Sequence, residues 1–377
     1  MPFWATLEYG HYTIGPEGEL MAPNISISQD KLQFQKPQIN LARPTSGRMW
    51  LVSVCAFMAV MQSSFTDSFS SLAVALSAVF AAVLTEFLFL LKSGKTRCLK
   101  DGSAVASAMI LALLLPNRIS PVYSMAGAVF AVAVIKQSFG GLGSNWLNPA
   151  AGGWLFVRLS WPAAFTRALE SSPLSLLEES LSRGVISPQS TPLGILKIDA
   201  AGLLAASGSL DEMIVSFLNK TVFFFLGAEL PGGYLGLFAS RLPGIIADRG
   251  ILALLLGTII ITASRVNRPW IPAIYLFVYG IFVRFAGALP YGGGLWNGDV
   301  LFAFCSGGTL LAAFFLAADP ATGAKSNIGI ILTAAAGGGI AFSFRYLGAE
   351  PYGAVFSVLF INAMLPLLRV IESRRYS

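Results

Sequence analysis

Ten stretches of mainly apolar residues, near 49–65, 70–92, 102–116, 121–137, 149–165, 250–265, 270–289, 300–318, 327–346 and 352–370, decide what this chain can fold into. A helix crosses the hydrocarbon core of a bilayer with about 20 residues, and these stretches approach that length one after another. Only 12% of the 377 residues are charged and 55% are hydrophobic, whereas soluble domains carry roughly a quarter charged. The expected fold is therefore an all-α integral membrane protein with about ten transmembrane helices, and soluble classes are set aside.

The net charge of +6 reads as topology before it reads as nucleic-acid binding. Lys31, Lys36, Arg43 and Arg48 precede the first span, and Lys92, Lys95, Arg97 and Lys100 lie between the second and third. Lys136, Arg265 with Arg268, Lys325, and Arg369, Arg374 and Arg375 continue the alternation, while loops of the other parity hold little beyond Arg118 and Arg345. The positive-inside rule then puts both termini in the cytoplasm of a cell whose inner membrane the chain spans. Lipid is the expected surroundings and nucleic acid is not an expected partner. The first 48 residues are mixed polar and lack an apolar core, so the first span is expected to act as insertion signal.

An internal echo organises the chain. GSAVASAMILALLLP, a helix, FGGLGSNWLNPA and a further helix are answered by GGTLLAAFFLAADP, a helix, YLGAEPYGA and a final helix. Five spans separate equivalent positions, and an odd number of crossings inverts the second copy. The expected layout is a cytoplasmic tail (1–48), a first five-helix repeat (49–165), an extracytoplasmic insert (166–249) and a second five-helix repeat with a cytoplasmic C-terminus (250–377). In such folds, sites lie where the two halves meet.

Three cysteines (Cys55, Cys98, Cys305) without short spacing and a single histidine, His11, leave no metal or haem motif, so electrons carried here need an organic group. Cys55 and Cys305 read as small core residues. Arg284 and Arg345 read as snorkelling or as binding a carbonyl or phosphate near the outer face.

Three places could carry chemistry. The first is KQSFGGLGSNWLNPA, Lys136–Ala150, a polar and glycine-rich interruption of an apolar sequence. Gly140, Gly141 and Gly143 permit positive φ and close approach of backbone to a flat ligand, so Lys136, these glycines, Asn145 and Asn148 are candidates for holding one. The plain alternative is a tight turn in which Asn148 caps the helix that Pro149 opens. The second place is SPQSTPL, Ser187–Leu193, in the insert: Pro192 keeps Thr191 extended, with its hydroxyl presented for esterification, or the segment is simply a surface turn. SLDE, Ser209–Glu212, further along the insert, is expected to open an amphipathic helix through about Gly227. The third is the set of acids in or beside spans, Glu86, Asp101 and Asp319, each costly at that depth and so a candidate for an ion path. Asp101 can equally be a helix cap.

Lys136–Ala150 resembles the signature of the D component of Rnf ion-translocating oxidoreductase complexes, a family shared with the B component of the sodium-pumping NADH:quinone oxidoreductase. Similar matches are DGSAVASAMILALLLP, SGGTLLAAFFLAADPATG and FRYLGAEPYGAVFSVLFIN. The resemblance implies ten helices arranged as in urea transporters, electron transfer coupled to Na⁺ or H⁺ translocation, and partner subunits that handle the soluble donors. It implies FMN joined through its phosphate to Thr191 of Thr191-Pro192-Leu193, with Ser190 and Pro188 departing from the usual residues, and a second, non-covalent flavin such as riboflavin between the helices. It also matches acids implicated in cation uptake to Asp101 and Asp319. A passive solute channel built on the same repeat and a scaffold subunit are the competing readings; the readings separate at Thr191-Pro192-Leu193, for which a channel has no use.

Overall fold

The structure is a computed structural model that describes residues 13–14, 20–21, 45–65, 69–93, 100–141, 143, 145–169, 209–223, 238, 245–291, 294–319, 322–324, 326–348 and 350–376. Met1–Arg43 form one unit, whose described part is an antiparallel pair of β1 (Thr13–Ile14) and β2 (Leu20–Met21) with Thr13 opposite Met21. Pro44–Ser377 form the other, in which the described elements are helical.

Every apolar stretch read from the sequence carries helix. The first half holds α1 (Thr45–Phe65), α2 (Ser70–Ser93), α3 (Ser103–Leu114), α4 (Pro121–Phe130), α5 (Pro149–Ser160) and α6 (Pro162–Leu169). Next comes α7 (Ser209–Leu218), which runs on as a π-helix over Asn219–Phe223, so the described part of the expected 209–227 helix is helical. The second half holds α8 (Ile246–Arg249), α9 (Ile251–Ala263), α10 (Trp270–Ala286), α11 (Val300–Phe304), α12 (Thr309–Leu311), α13 (Asn327–Phe342) and α14 (Gly353–Tyr376). Among the described residues, Thr45–Phe65, Ser70–Leu91 and Asn327–Leu347 are long and apolar enough to cross a membrane, and five more helices are apolar but shorter. This is a multi-pass membrane protein.

Several boundaries differ from the sequence reading, among them the last, where the helix runs to Tyr376 and not 370. The first helix starts at Thr45, four residues before the expected 49. The stretch 149–165 is broken after Ser160, because Pro162 opens a new helix and has no N–H to continue the old one. The stretch 300–318 is not one helix. Gly307 and Gly308 adopt φ of 65° and 67°, which ends α11 and restarts the chain as α12, followed by a π-helix over Ala312–Ala317.

A break at that depth strands backbone groups that water cannot reach. Two side chains take them up. Asp248 of α8 accepts the N–H of Gly307 at 3.0 Å and of Gly308 at 2.9 Å. Arg345 donates to the carbonyls of Ala303 at 3.0 Å and Ser306 at 2.9 Å. Arg345 is 5% exposed, which corrects the snorkelling reading and keeps the carbonyl-binding one.

Small residues let the helices approach. A Cβ on Gly250 would lie 2.4 Å from the carbonyl oxygen of Ala59, and one on Gly257 would lie 3.0 Å from Cβ of Cys55, so α9 packs backbone to backbone on α1 across the two halves. Gly153 of α5 meets Gly127 of α4 in the same way, and Gly338 of α13 meets Tyr275 of α10. Cys55 and Cys305 are both buried, as core residues should be.

Candidate functional site

The glycine-rich run begins in the π-helical turn Ala131–Gln137 that continues α4, and such turns recur at functional sites because they displace side chains from the regular register. Lys136 sits in it, 1% exposed. Its ammonium donates to Oε1 of Glu86 on α2 and to Oγ of Ser103 at the start of α3. The same Glu86 oxygen accepts Gln137 Nε2 at 3.0 Å. Ser103 extends the network outward: its Oγ donates to Asp101 Oδ1 at 2.6 Å, and its N–H donates to that oxygen at 2.8 Å. Asp101 thus accepts the first N–H of α3, whose N-cap residue is Gly102, and it is also tied through one hydroxyl to Lys136. Gly102, at φ 74°, makes this turn, and a Cβ there would strike the Trp50 ring at 2.9 Å.

Beyond the turn, Gly140, Gly141 and Gly143 adopt φ of 104°, 89° and 90°. They bend the chain, but they do not border the cavity described below; a Cβ added at Gly143 would have nothing within 4 Å. Asn148 then caps α5, its Oδ1 accepting from the N–H of Ala150 at 3.0 Å and Ala151 at 3.3 Å, with Pro149 at the first helical position. Its Nδ2 donates to Asp319 Oδ2 at 3.2 Å, an oxygen that also accepts Thr322 Oγ1 at 3.2 Å. Asn362 of α14, oriented to suit its neighbours, donates to Thr322 O and accepts Asn148 N–H, both at 3.2 Å. One asparagine of the first half is thereby locked to an acid and an amide of the second.

Between the halves lies a cavity of about 130 Å³ bordered by Ser103, Lys136, Asn145, Asn148, Asn267 and Asp319, with Ile110, Ile261, Phe314 and Phe315 among its apolar walls. Oδ1 of Asn145 and Oδ1 of Asn267 are buried and have no hydrogen-bond partner among the described residues. Buried acceptors are ordinarily satisfied, so two of them without a partner among the described residues distinguish this cavity.

A second glycine turn, at Gly307–Gly308, carries a cluster of other side chains. Gly308 takes the left-handed turn, Thr309 stands where Ser103 stands, and Arg345 lies in the π-helical turn Ser343–Leu347 as Lys136 lies in its own. Arg345 donates to Thr309 Oγ1 at 3.3 Å, to Ser306 Oγ at 2.6 Å and to the Tyr279 hydroxyl at 3.1 Å. Arg345 thus meets the Tyr279 hydroxyl of α10, where Lys136 meets the Glu86 carboxylate of α2. The second cluster offers a guanidinium to a phenol, where the first offers an ammonium to a carboxylate.

A family model described as "NQR2, RnfD, RnfE family" matches residues 33–377. The chain belongs to that family. It is 28% identical over 335 residues to the D component of the proton-translocating ferredoxin:NAD(+) oxidoreductase complex of Clostridium ljungdahlii, covering 88% of this chain and 91% of that protein. It is 29% identical over 339 residues to the D component of the Na(+)-translocating ferredoxin:NAD(+) oxidoreductase complex of Acetobacterium woodii, covering 90% and 92%. The D component of the ion-translocating oxidoreductase complex of Alcanivorax borkumensis is 32% identical over 295 residues, covering 77% and 80%. A relative named for protons and one named for sodium are thus almost equally similar, so overall likeness does not select the ion.

The structure brings most sequence candidates together. Glu86, Asp101 and Lys136 form one network, and Lys136, Asn145, Asn148 and Asp319 border one cavity. Thr191 and the rest of Ser187–Leu193 lie outside the described residues. Sequence reasoning missed Ser103, Gln137, Asn267 and Asn362. Gln137 is adjacent to a buried lysine, but serines and asparagines in apolar stretches give no signal that separates a site from a satisfied helix turn.

Proposed function

We propose that this chain is the membrane subunit of an Rnf-type complex, in which it carries electrons through bound flavin and couples their passage to translocation of Na⁺ or H⁺. It works with the other subunits of that complex, as a part of an oxidoreductase and translocase and not as an enzyme alone. The observation that carries the reading is the cavity between the halves, in a chain that matches the family from residue 33 to 377. Its walls suit a flat heteroaromatic ring: aromatic and aliphatic faces at Phe314, Phe315 and Ile261, and unsatisfied acceptors at Asn145 and Asn267 for the ring's N–H. Lys136 and Asn148 border the same space and would orient a bound flavin, which supplies electron transfer in single steps. These residues fit the group.

Thr191 is the proposed attachment point of a second flavin, FMN held through a phosphoester, and its support is the Thr191-Pro192-Leu193 match alone. The proposed layout is ten crossings in two inverted five-helix repeats, with both termini on the cytoplasmic side of the bacterial inner membrane. Support comes from the paired clusters at Gly102–Ser103–Lys136 and Gly308–Thr309–Arg345 and from the alternating basic loops. Asp319, with Asp101 and Glu86, is proposed for the ion path.

The test is ultraviolet fluorescence of the denatured polypeptide band, from a host that makes the flavin transferase. The band should fluoresce and Thr191→Ala should darken it. A dark wild-type band favours the solute-channel reading.

A further inference from the structure

We infer that Lys136 is a tethered cation shared between Glu86 and the cavity, and that Glu86 becomes a binding site for a small monovalent cation when the ammonium is drawn toward the cavity. The inference rests on the proposed reading that the cavity holds a group which gains negative charge.

Glu86 is 3% exposed and does not border the cavity, whereas Lys136 and Ser103 do. Lys136, whose ammonium holds both Glu86 and the cavity-bordering Ser103, therefore links the carboxylate to the cavity wall. Glu86 uses one oxygen for both of its donors, Lys136 Nζ and Gln137 Nε2. Its other oxygen, Oε2, is buried without a hydrogen-bond partner among the described residues. A carboxylate with an idle, water-shielded oxygen has unused capacity to accept a further cationic ligand, and the lysine already neutralises its charge.

Lysine suits such a role because its charge is a point on a flexible stem with three rotatable donors. Negative charge appearing on the cavity side competes with Glu86 for that point. Once the ammonium turns, Glu86 is left as a buried anion without its counter-charge, which is costly enough that it takes up a proton or an alkali cation. Return of the ammonium expels that cation. Loading at Glu86 and charge in the cavity are then linked, each favouring the other. The other charged groups that face the pair are Asp101, reached through Ser103, and Arg48 and Asp319 across the cavity. Asp101 gives the ammonium a second acid to lean on as it moves. In the second half Arg345 is bound to carbonyls and hydroxyls, and the buried carboxylate near it, Asp248, already accepts the N–H groups of Gly307 and Gly308.

Infrared difference spectroscopy reads Glu86 directly, with Glu86→Gln identifying its bands. In the flavin-loaded complex, reduction without sodium should produce a carboxylic-acid C=O band that Glu86→Gln removes. With sodium present, a shift of the Glu86 carboxylate bands instead would identify the alkali cation as ligand. Lys136→Arg keeps the charge but holds it in a rigid fork, and should abolish the reduction-linked change. A second arm needs no flavin. In the chain stripped of cofactor, Lys136→Gln should show Glu86 protonated, or shifted by added sodium, while the wild type shows neither. A Lys136→Gln chain whose Glu86 stays an ionised carboxylate indifferent to sodium would overturn the inference. So would loaded wild-type complex in which reduction leaves Glu86 unchanged. If the cavity takes up no flavin, only the first arm is silent, and the stripped chain still reports whether Lys136 holds Glu86.

Discussion

Replacing Asp248 with alanine should destabilise the chain severely, and the geometry says by how much. Gly307 and Gly308 present their N–H groups to the Asp248 carboxylate at 3.0 and 2.9 Å because the positive φ at both residues takes them out of the helical ladder. With the carboxylate gone, both amides lie buried beside a broken helix. A buried donor without a partner costs about 1–3 kcal/mol, so the pair costs about 2–6 kcal/mol. Removal of a buried charge works in the other direction, and swapping a buried ion for an apolar group can be neutral where its partners leave with it. Here the partners are backbone and stay, so the loss wins. Asp248→Asn keeps one acceptor oxygen and should lose about half as much as Asp248→Ala. The assay is thermal aggregation of the detergent-purified protein, with the order wild type, then asparagine, then alanine. An alanine variant as stable as wild type would refute the claim that Asp248 exists to satisfy the break.

Gly153→Val should fail to yield folded protein, because its Cβ would come within 2.7 Å of the Gly127 carbonyl oxygen, and neither backbone can yield; Gly143→Ala, with open space around it, should cost only the strain of its φ of 90°, and yield after detergent extraction compares them. Asp319→Asn retains an acceptor for Thr322 and Asn148, so the protein should assemble and keep any flavin, while ion-dependent turnover at limiting Na⁺ or H⁺ falls; unchanged turnover makes Asp319 a structural link between the halves.

The helices are legible in the sequence because the bilayer imposes a length and an apolar composition that few other environments do. The breaks are less so. Pro162 advertises its break, but Gly307–Gly308 differs little in sequence from Gly337–Gly338, which lies inside α13 where Tyr275 packs on it. What separates them is Asp248, 59 and 60 residues away, and no local pattern carries that information. Within the site, Lys136, Glu86 and Asp101 stand out as charges in apolar surroundings, yet their meeting depends on how α2, α3 and α4 pack. Arg345 carries the same signal but is buried, because a long side chain at a span end can snorkel or turn inward and only the fold chooses. Gly140, Gly141 and Gly143 do take positive φ, and the run they belong to continues to Asn145 and Asn148, which border the cavity while the glycines do not.

The measurement that tests the central claim most directly is a flavin inventory of the purified complex after denaturation, with the released and the polypeptide-bound fractions separated. Flavin is expected in both fractions. Asn145→Leu should empty the released fraction arising from this chain and leave the bound one, and Thr191→Ala should do the reverse. A chain made alongside its flavin transferase that carries flavin in neither fraction would contradict an electron-carrying role for this protein.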